Sequence, residues 1–546
     1  TTTGEMLGEL VRQIAKAFPE AGGQQGQSPL SGQDLTALIR HVIRHGFAVG
    51  LSGLPGQSPP RGVLVVPAVD QSEIGKKIVA LLRRQARERN AEILRRDDRV
   101  IAVIPMSETE SVAYWEEQGD LVAAVGPHGK VVDQVVAALT GEAASALKNP
   151  IRGRLLEKGS TGVESVARGF VNLKPLLAQL PPEARDIGLE SIERAEMNWG
   201  FQGEAVVSTL RLHAPGPRKG VLALLNQPTF DLSTLPPLPG GLREFSVASL
   251  DLAKFLDAVA AVPQGREAVE KLEDAVQEAT GMNLRQDILG AFGPKMAFYV
   301  VPETMRRSVN PYASFMDWVL HPPKLTFLME VRDAKKFERA VAKMMEGVNR
   351  LIREQMPRNQ EPVEFVKRPH GGYELVVPAA VMPLPAQLRP TLHMEANYAV
   401  LATSPELARQ ALEQKFQPAD LAALGPVPKH LWSFTVNDPR TSVPELIPNI
   451  PFFVQAIGRL AMEQNEIRPL AALTQVKVDS DSIPKPEAIE KLLFPGWYAA
   501  SVDADGVTLT SREWAPVMSP TTAAPVMIAL LLPAVQSARE AARRAQ

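Results

Sequence analysis

Cysteine is absent from the whole chain, which excludes disulfides, thiol nucleophiles and thiolate metal sites together. Aromatic residues are scarce at 5%, so a basic surface interleaved with stacking rings, as nucleic-acid binding uses, has little to draw on. Neither sign of charge is in excess. The 59 basic and 61 acidic residues nearly cancel, and no global field points toward nucleic acid or an anionic membrane. No apolar run reaches the roughly 18 residues that a simple bilayer-spanning helix needs. An initiating methionine is also missing: the chain opens Thr1-Thr-Thr-Gly, which predicts a processed or trimmed product.

What is present suits a soluble globular chain. A length of 546 residues predicts more than one domain, and 47 prolines predict many rigid loops and sharp helix starts. The organising stretch is Leu284–Val300, a short helix running into a strand, with a fainter copy at Leu35–Leu51. Similar elements follow each copy in similar order. Gly62–Val69 and Leu325–Val331 read as strands; Ser72–Arg89 and Asp333–Met356 read as amphipathic helices, Ser72 serving as a cap. Paired strands come next, at Ala91–Arg96 with Arg99–Pro105 and at Glu364–Arg368 with Tyr373–Pro378. Strand–helix pairs succeed them, and each half closes on a hairpin, Glu196–Gln202 with Ala205–Leu212 and Tyr498–Asp503 with Val507–Arg512.

The expected fold is therefore α+β: an internally duplicated module of mainly antiparallel sheets with helices on one face of each, plus a C-terminal helical tail. The division reads as 1–214 for the first repeat, 215–241 for a Pro-rich connector, 242–515 for the second repeat, and 516–546 for a Pro-rich linker and tail. One asymmetry stands out. The strand and helix of Leu242–Val262 have no counterpart before the helix read at residues 4–18; either the duplication is unequal or, the favoured expectation, a piece upstream of Thr1 is missing, and without it one edge of the first sheet lies unpaired.

Candidate chemistry is thin. His41 and His45, four apart on a helix, share a face, but no adjacent Glu, third His or Cys completes a metal site. Lys158-Gly-Ser-Thr161 has the wrong order for a phosphate loop, and Gly126–Lys130 reads as a turn entering a helix. Asp503-Ala-Asp-Gly506 opens like a calcium loop, yet Trp514 stands where the twelfth-position glutamate belongs, so a hairpin turn is expected. Asp479–Ser482 reads as a solvated linker, and the Arg83–Arg89 and Arg332–Arg353 faces as solvated helix surface. No nucleophile elbow is present. The expectation is a non-enzyme with no cofactor and no metal.

The tail is more informative. Pro516–Pro525 is a linker, and the apolar run Ala523–Val535 is too short, and too interrupted by Pro525 and Pro533, to span a bilayer. Ile528, Leu530, Leu531, Leu532 and Val535, followed by the smooth face of Ala538, Ala541 and Ala545, form the candidate association surface. Here Ala529–Arg544 closely resembles the segment that ends the pilin-like N-terminal helix in a very large planctomycete family of uncharacterised secreted proteins. In that family the segment follows a Phe-Thr-Leu-x-Glu processing site and a long apolar helix, neither of which precedes it here. The body is similar, around Leu284–Val300, to another uncharacterised family of exported bacterial proteins. These resemblances imply a periplasmic, envelope or extracellular setting and an assembly role for the tail, and they bring no known catalytic residues. The reading that follows is an exported structural or assembly protein, with self-association or a protein partner engaged through the tail. Its alternative is an envelope module that binds an apolar ligand between sheet and helices.

Overall fold

The computed structural model describes residues 32–52, 61–96, 98–127, 130–140, 142, 163–177, 188–239, 242–261, 263–301, 324–356, 361–369, 372–378, 388–395, 397–413, 421, 424–440, 486–491 and 493–514. The chain divides into two compact units, Thr1–Lys158 and Gly159–Gln546. Both are α+β, and every strand pairing in both is antiparallel.

The first unit holds β1 (Ala48–Ser52), β2 (Arg61–Val66), β3 (Glu92–Arg96), β4 (Arg99–Pro105), β5 (Glu110–Glu117) and β6 (Asp120–Pro127), in the sheet order β1-β2-β6-β5-β4-β3. Helix α1 (Gly32–His45) precedes β1, α2 (Glu73–Glu88) follows β2, and α3 (Val131–Thr140) follows β6. Ser72 does cap α2, its hydroxyl accepting from the Gly75 amide at 3.0 Å. Between β5 and β6 the chain reverses through Gln118 and Gly119, both at positive φ, the twist a tight hairpin needs. A side chain at Gly119 would also run into the Asp70 carboxylate.

Helices do not sit on one face of this sheet, as the sequence had suggested. α2 buries Val79, Leu82 and Ala86 against Ala102, Ile104 and Tyr114, whereas α3 buries Val132 and Val136 against Ile101, Val103, Ala113 and Trp115. Successive strand residues point to opposite faces, so the two helices cover opposite sides. That explains why β4 and β5 are nearly continuous apolar runs without alternation.

The second unit is built on thirteen strands: β7 (Glu164–Asn172), β8 (Arg194–Gln202), β9 (Ala205–His213), β10 (Glu244–Ser249), β11 (Phe292–Val301), β12 (Lys324–Val331), β13 (Glu364–Lys367), β14 (Tyr373–Val376), β15 (Thr391–Glu395), β16 (Tyr398–Ala402), β17 (Leu431–Asn437), β18 (Gly496–Val502) and β19 (Gly506–Glu513). They run β13-β14-β15-β16-β12-β11-β10-β17-β18-β19-β9-β8-β7. Its longer described helices are α4 (Leu252–Ala260), α5 (Pro263–Thr280), α6 (Ala334–Gln355) and α7 (Pro405–Glu413). The short helix read at Leu284 is a π turn over Leu284–Ile288 and a 3-10 turn over Leu289–Ala291, leading into β11.

Again two helices cover opposite faces. α7 contributes Leu407, Ala408 and Ala411 to the core that holds Leu328, Val400 and Phe434, while α6 sets Phe337 and Val341 against Val331 and Ala399. The first of these cores centres on three rings from adjacent strands. Phe245 meets Phe434 edge-on at 6.1 Å, Phe434 meets Trp497 at 6.2 Å, and the Trp497 indole donates to the Leu424 carbonyl. Each such ring contact adds about 0.5–1.5 kcal/mol beyond burial.

The stretch read as a connector, 215–241, is itself core. Leu222 and Leu225 pack beneath β19, and Phe230 and Leu238 belong to the aromatic cluster. Hydrogen bonding also continues across the expected boundary, because β9 pairs with β19 from His213↔Gly506 to Val206↔Glu513. The helix read at residues 4–18 lies outside the described residues, as does the tail with Ile528, Leu530, Leu531, Leu532, Val535, Ala538, Ala541 and Ala545. Among the described residues no helix is long and apolar enough to cross a membrane.

Candidate functional site

Most of the polar motifs singled out from the sequence prove to be occupied with local structure. The His41 and His45 rings stack at 4.7 Å, and buried His41 places Nε2 at 2.9 Å from the Pro67 carbonyl oxygen. Gly126 and Pro127 finish β6, and the Lys130 amide closes a turn onto the Pro127 carbonyl. Basic groups on α2 and α6 are paired with acidic neighbours: Arg83 with Glu116, Arg84 with Glu88, Lys343 with Glu346 and Arg353 with Glu364. Lys158–Thr161 and Asp479–Ser482 lie outside the described residues.

Asp503 does form a hairpin turn. Its Oδ1 accepts from the amides of Asp505 and Gly506, each at 2.9 Å, and its carboxylate also receives Arg211 of β9 at 2.7 Å. Arg218, buried, donates to the carbonyls of Ala214 and Asp503 and so fastens the same turn from the other side. On the same sheet face Glu196 takes Arg194 at 2.7 Å and His213 at 2.9 Å. Burial works against the Glu196 carboxylate, but the hydrogen bond from Arg194 and the charge and hydrogen bond of His213 outweigh it and hold its pKa below the usual range. Burial lowers His213, and the Glu196 charge recovers only part of that. Sequence reasoning missed this network. The hairpin register would have exposed it, because a turn at Gly203-Glu204 sets Arg194 opposite His213 and Glu196 opposite Arg211. What the network does is fix the register of β8, β9 and the β18–β19 turn.

A different feature is left without a structural role, the outer edge of β7. This strand ends the sheet, and among the described residues nothing pairs with its outer side. Val166 and Phe170 on β7, and Met197 and Phe201 on β8, are exposed. Of the other sheet ends, β1 is likewise uncharged, whereas β3 and β13 are short or charged. β3 carries Glu92, Arg95 and Arg96, with Arg96 paired to Asp133, and β13 has only 4 residues, with Glu364 and Lys367 at its ends. Short or charged edges resist unwanted pairing. β7, with 9 residues, carries Glu164 and Arg168 but also exposes Val166 and Phe170. Compared with protein families, curated proteins and solved structures, the chain matches no family model, no curated protein and no solved structure.

Proposed function

We propose that this protein is a non-catalytic structural or assembly component, exported to the cell envelope or extracellular space, with an internally duplicated α+β body and a C-terminal tail that holds a neighbour. The duplication is supported by one topological observation. The succession β3-β4-β5-β6-β2-β1 in the first sheet recurs as β13-β14-β15-β16-β12-β11 in the second. The helix after β2 and the helix after β12 each connect two parallel strands at a distance. Such crossovers are right-handed in nearly all cases, which sets α2 and α6 on equivalent faces. The closing hairpins β8–β9 and β18–β19 then meet edge to edge through their last strands.

The assembly reading rests on the tail. Ile528, Leu530, Leu531, Leu532 and Val535 follow the Pro516–Pro525 linker. Each contributes about 1.5–3 kcal/mol if fully buried, enough together to offset the entropy of association. Replacing Leu530 and Leu532 with Asp in the full chain is expected to dissociate assemblies while leaving the urea midpoint of the body unchanged. Unfolding of the body by that variant would show instead that the tail is an ordinary packed terminus.

A further inference from the structure

We infer that the groove along α2 in the first unit is a binding site for a zwitterionic ligand, a short peptide with both termini free, its ammonium group held by Asp70 and its carboxylate by Arg87. A cavity of about 580 Å³ opens there, between α2, the 3-10 turn Val69–Gln71 and Glu116 of β5. That volume is in the usual range for a small-ligand site. Buried Val69 and Val79, with the methyl group of Ala80, supply its apolar part. Its charged residues sort by pairing. Arg83 is paired with Glu116, Arg84 with Glu88 at 2.7 Å, and Lys76 with Glu73 at 3.0 Å. Asp70 and Arg87 line the same cavity and have no ion-pair partner among the described residues. A purely anionic ligand would meet Asp70, and a purely cationic one Arg87. A ligand that carries both charges satisfies both.

The turn that carries Asp70 is built of unusual backbone. Ala68 stands at φ 56°, a left-handed conformation that few non-glycine residues adopt. Its amide donates to the Asp120 carboxylate at 2.9 Å, and the Val69 amide donates to the Gly119 carbonyl at 2.9 Å. Two glycines make room for the turn: a side chain at Gly75 would run into the Val69 carbonyl, and one at Gly119 into the Asp70 carboxylate. Launching a helix after a strand requires none of this, since α6 follows β12 through Arg332 and Asp333 alone. What the strained turn achieves is a fixed, exposed carboxylate beside the first turn of α2. Arg87 lies in the last turn. Between Gly75 and Arg87 the helix advances about 18 Å, and an arginine side chain leans back toward the helix N-terminus. An extended chain covers about 3.3–3.6 Å per residue, so a peptide of about four residues bridges the two charges.

Isothermal titration calorimetry of the full-length protein with tetra-alanine, N-acetyl-tetra-alanine and tetra-alanine amide tests this. The expected result is saturable binding of the uncapped peptide to one site, weakened about ten-fold or more by either cap. Asp70→Asn is expected to bind the uncapped and acetylated peptides equally while still preferring the acid to the amide. Arg87→Met is expected to bind acid and amide equally while still preferring the free amine. Lys335→Met, on exposed α6, is expected to behave as wild type. Both Asp70 and Arg87 are exposed, so the melting temperature of each variant is expected to stay at the wild-type value. Absence of saturable binding would overturn the inference, and a groove already filled by another stretch of the chain would read in that way. Binding indifferent to both caps, or unchanged discrimination in the two variants, would overturn it as well.

Discussion

A single carboxyl shows how strongly local burial governs this molecule. Glu513 ends β19 opposite buried Val206, and burial alone pushes its pKa up from 4.5 to about 7. The fold therefore prefers its protonated form. That contribution is fully present below about pH 4.5 and is lost as pH rises through about 7. Glu513→Gln is expected to raise the melting temperature at pH 8 and to change it little at pH 4, measured by calorimetry. An equal gain at both pH values would mean that the carboxyl is not desolvated as described. Glu196, His213 and Asp503 act in the opposite sense, each with a folded pKa below its usual value, and so weaken the fold as pH falls.

Among the elements, the β18–β19 hairpin shows which of several polar contacts matters. Asp503 is half exposed, so its ion pair with Arg211 is worth at most about 1 kcal/mol. Its two bonds to the turn amides are local and hold the reversal itself. Asp503→Asn keeps an oxygen for those amides and is expected to remain near wild type, whereas Asp503→Ala should cost about 1–3 kcal/mol in urea unfolding. Equal losses in the two variants would place the weight on the ion pair. This turn was legible in the sequence because Asp and Gly at fixed offsets have a local mechanism. The α2 cap at Ser72 and the strands around both closing hairpins were legible for the same kind of reason. β5 was not, since Ser111–Trp115 are buried on both faces and show no period of two. Nor was the side of the sheet each helix would take, which tertiary packing decides. α6 is amphipathic as its sequence predicts, but Phe337, Ala340 and Val341 are buried while Met344, Val348 and Leu351 further along are exposed. At about 1.5 Å per residue, α6 is far longer than the 4-residue strands β13 and β14. That β7 would end the thirteen-stranded sheet was not legible in the sequence.

At the scale of the whole molecule, polar side chains are largely spent on turns and register, while exposed apolar groups lie on several strands and on α6, and a further apolar run stands in the sequence of the tail. The association proposed for residues 526–546 has its own variants. The tail is the central claim. Size exclusion coupled to light scattering, run on the full chain across a wide concentration range, tests it most directly. The account predicts a mass above the 59.3 kDa of one chain, falling toward that value on dilution, and 59.3 kDa throughout for the protein with Leu530→Asp and Leu532→Asp. A wild-type protein that stays at 59.3 kDa at every concentration, or a substituted one that assembles as wild type does, would contradict it.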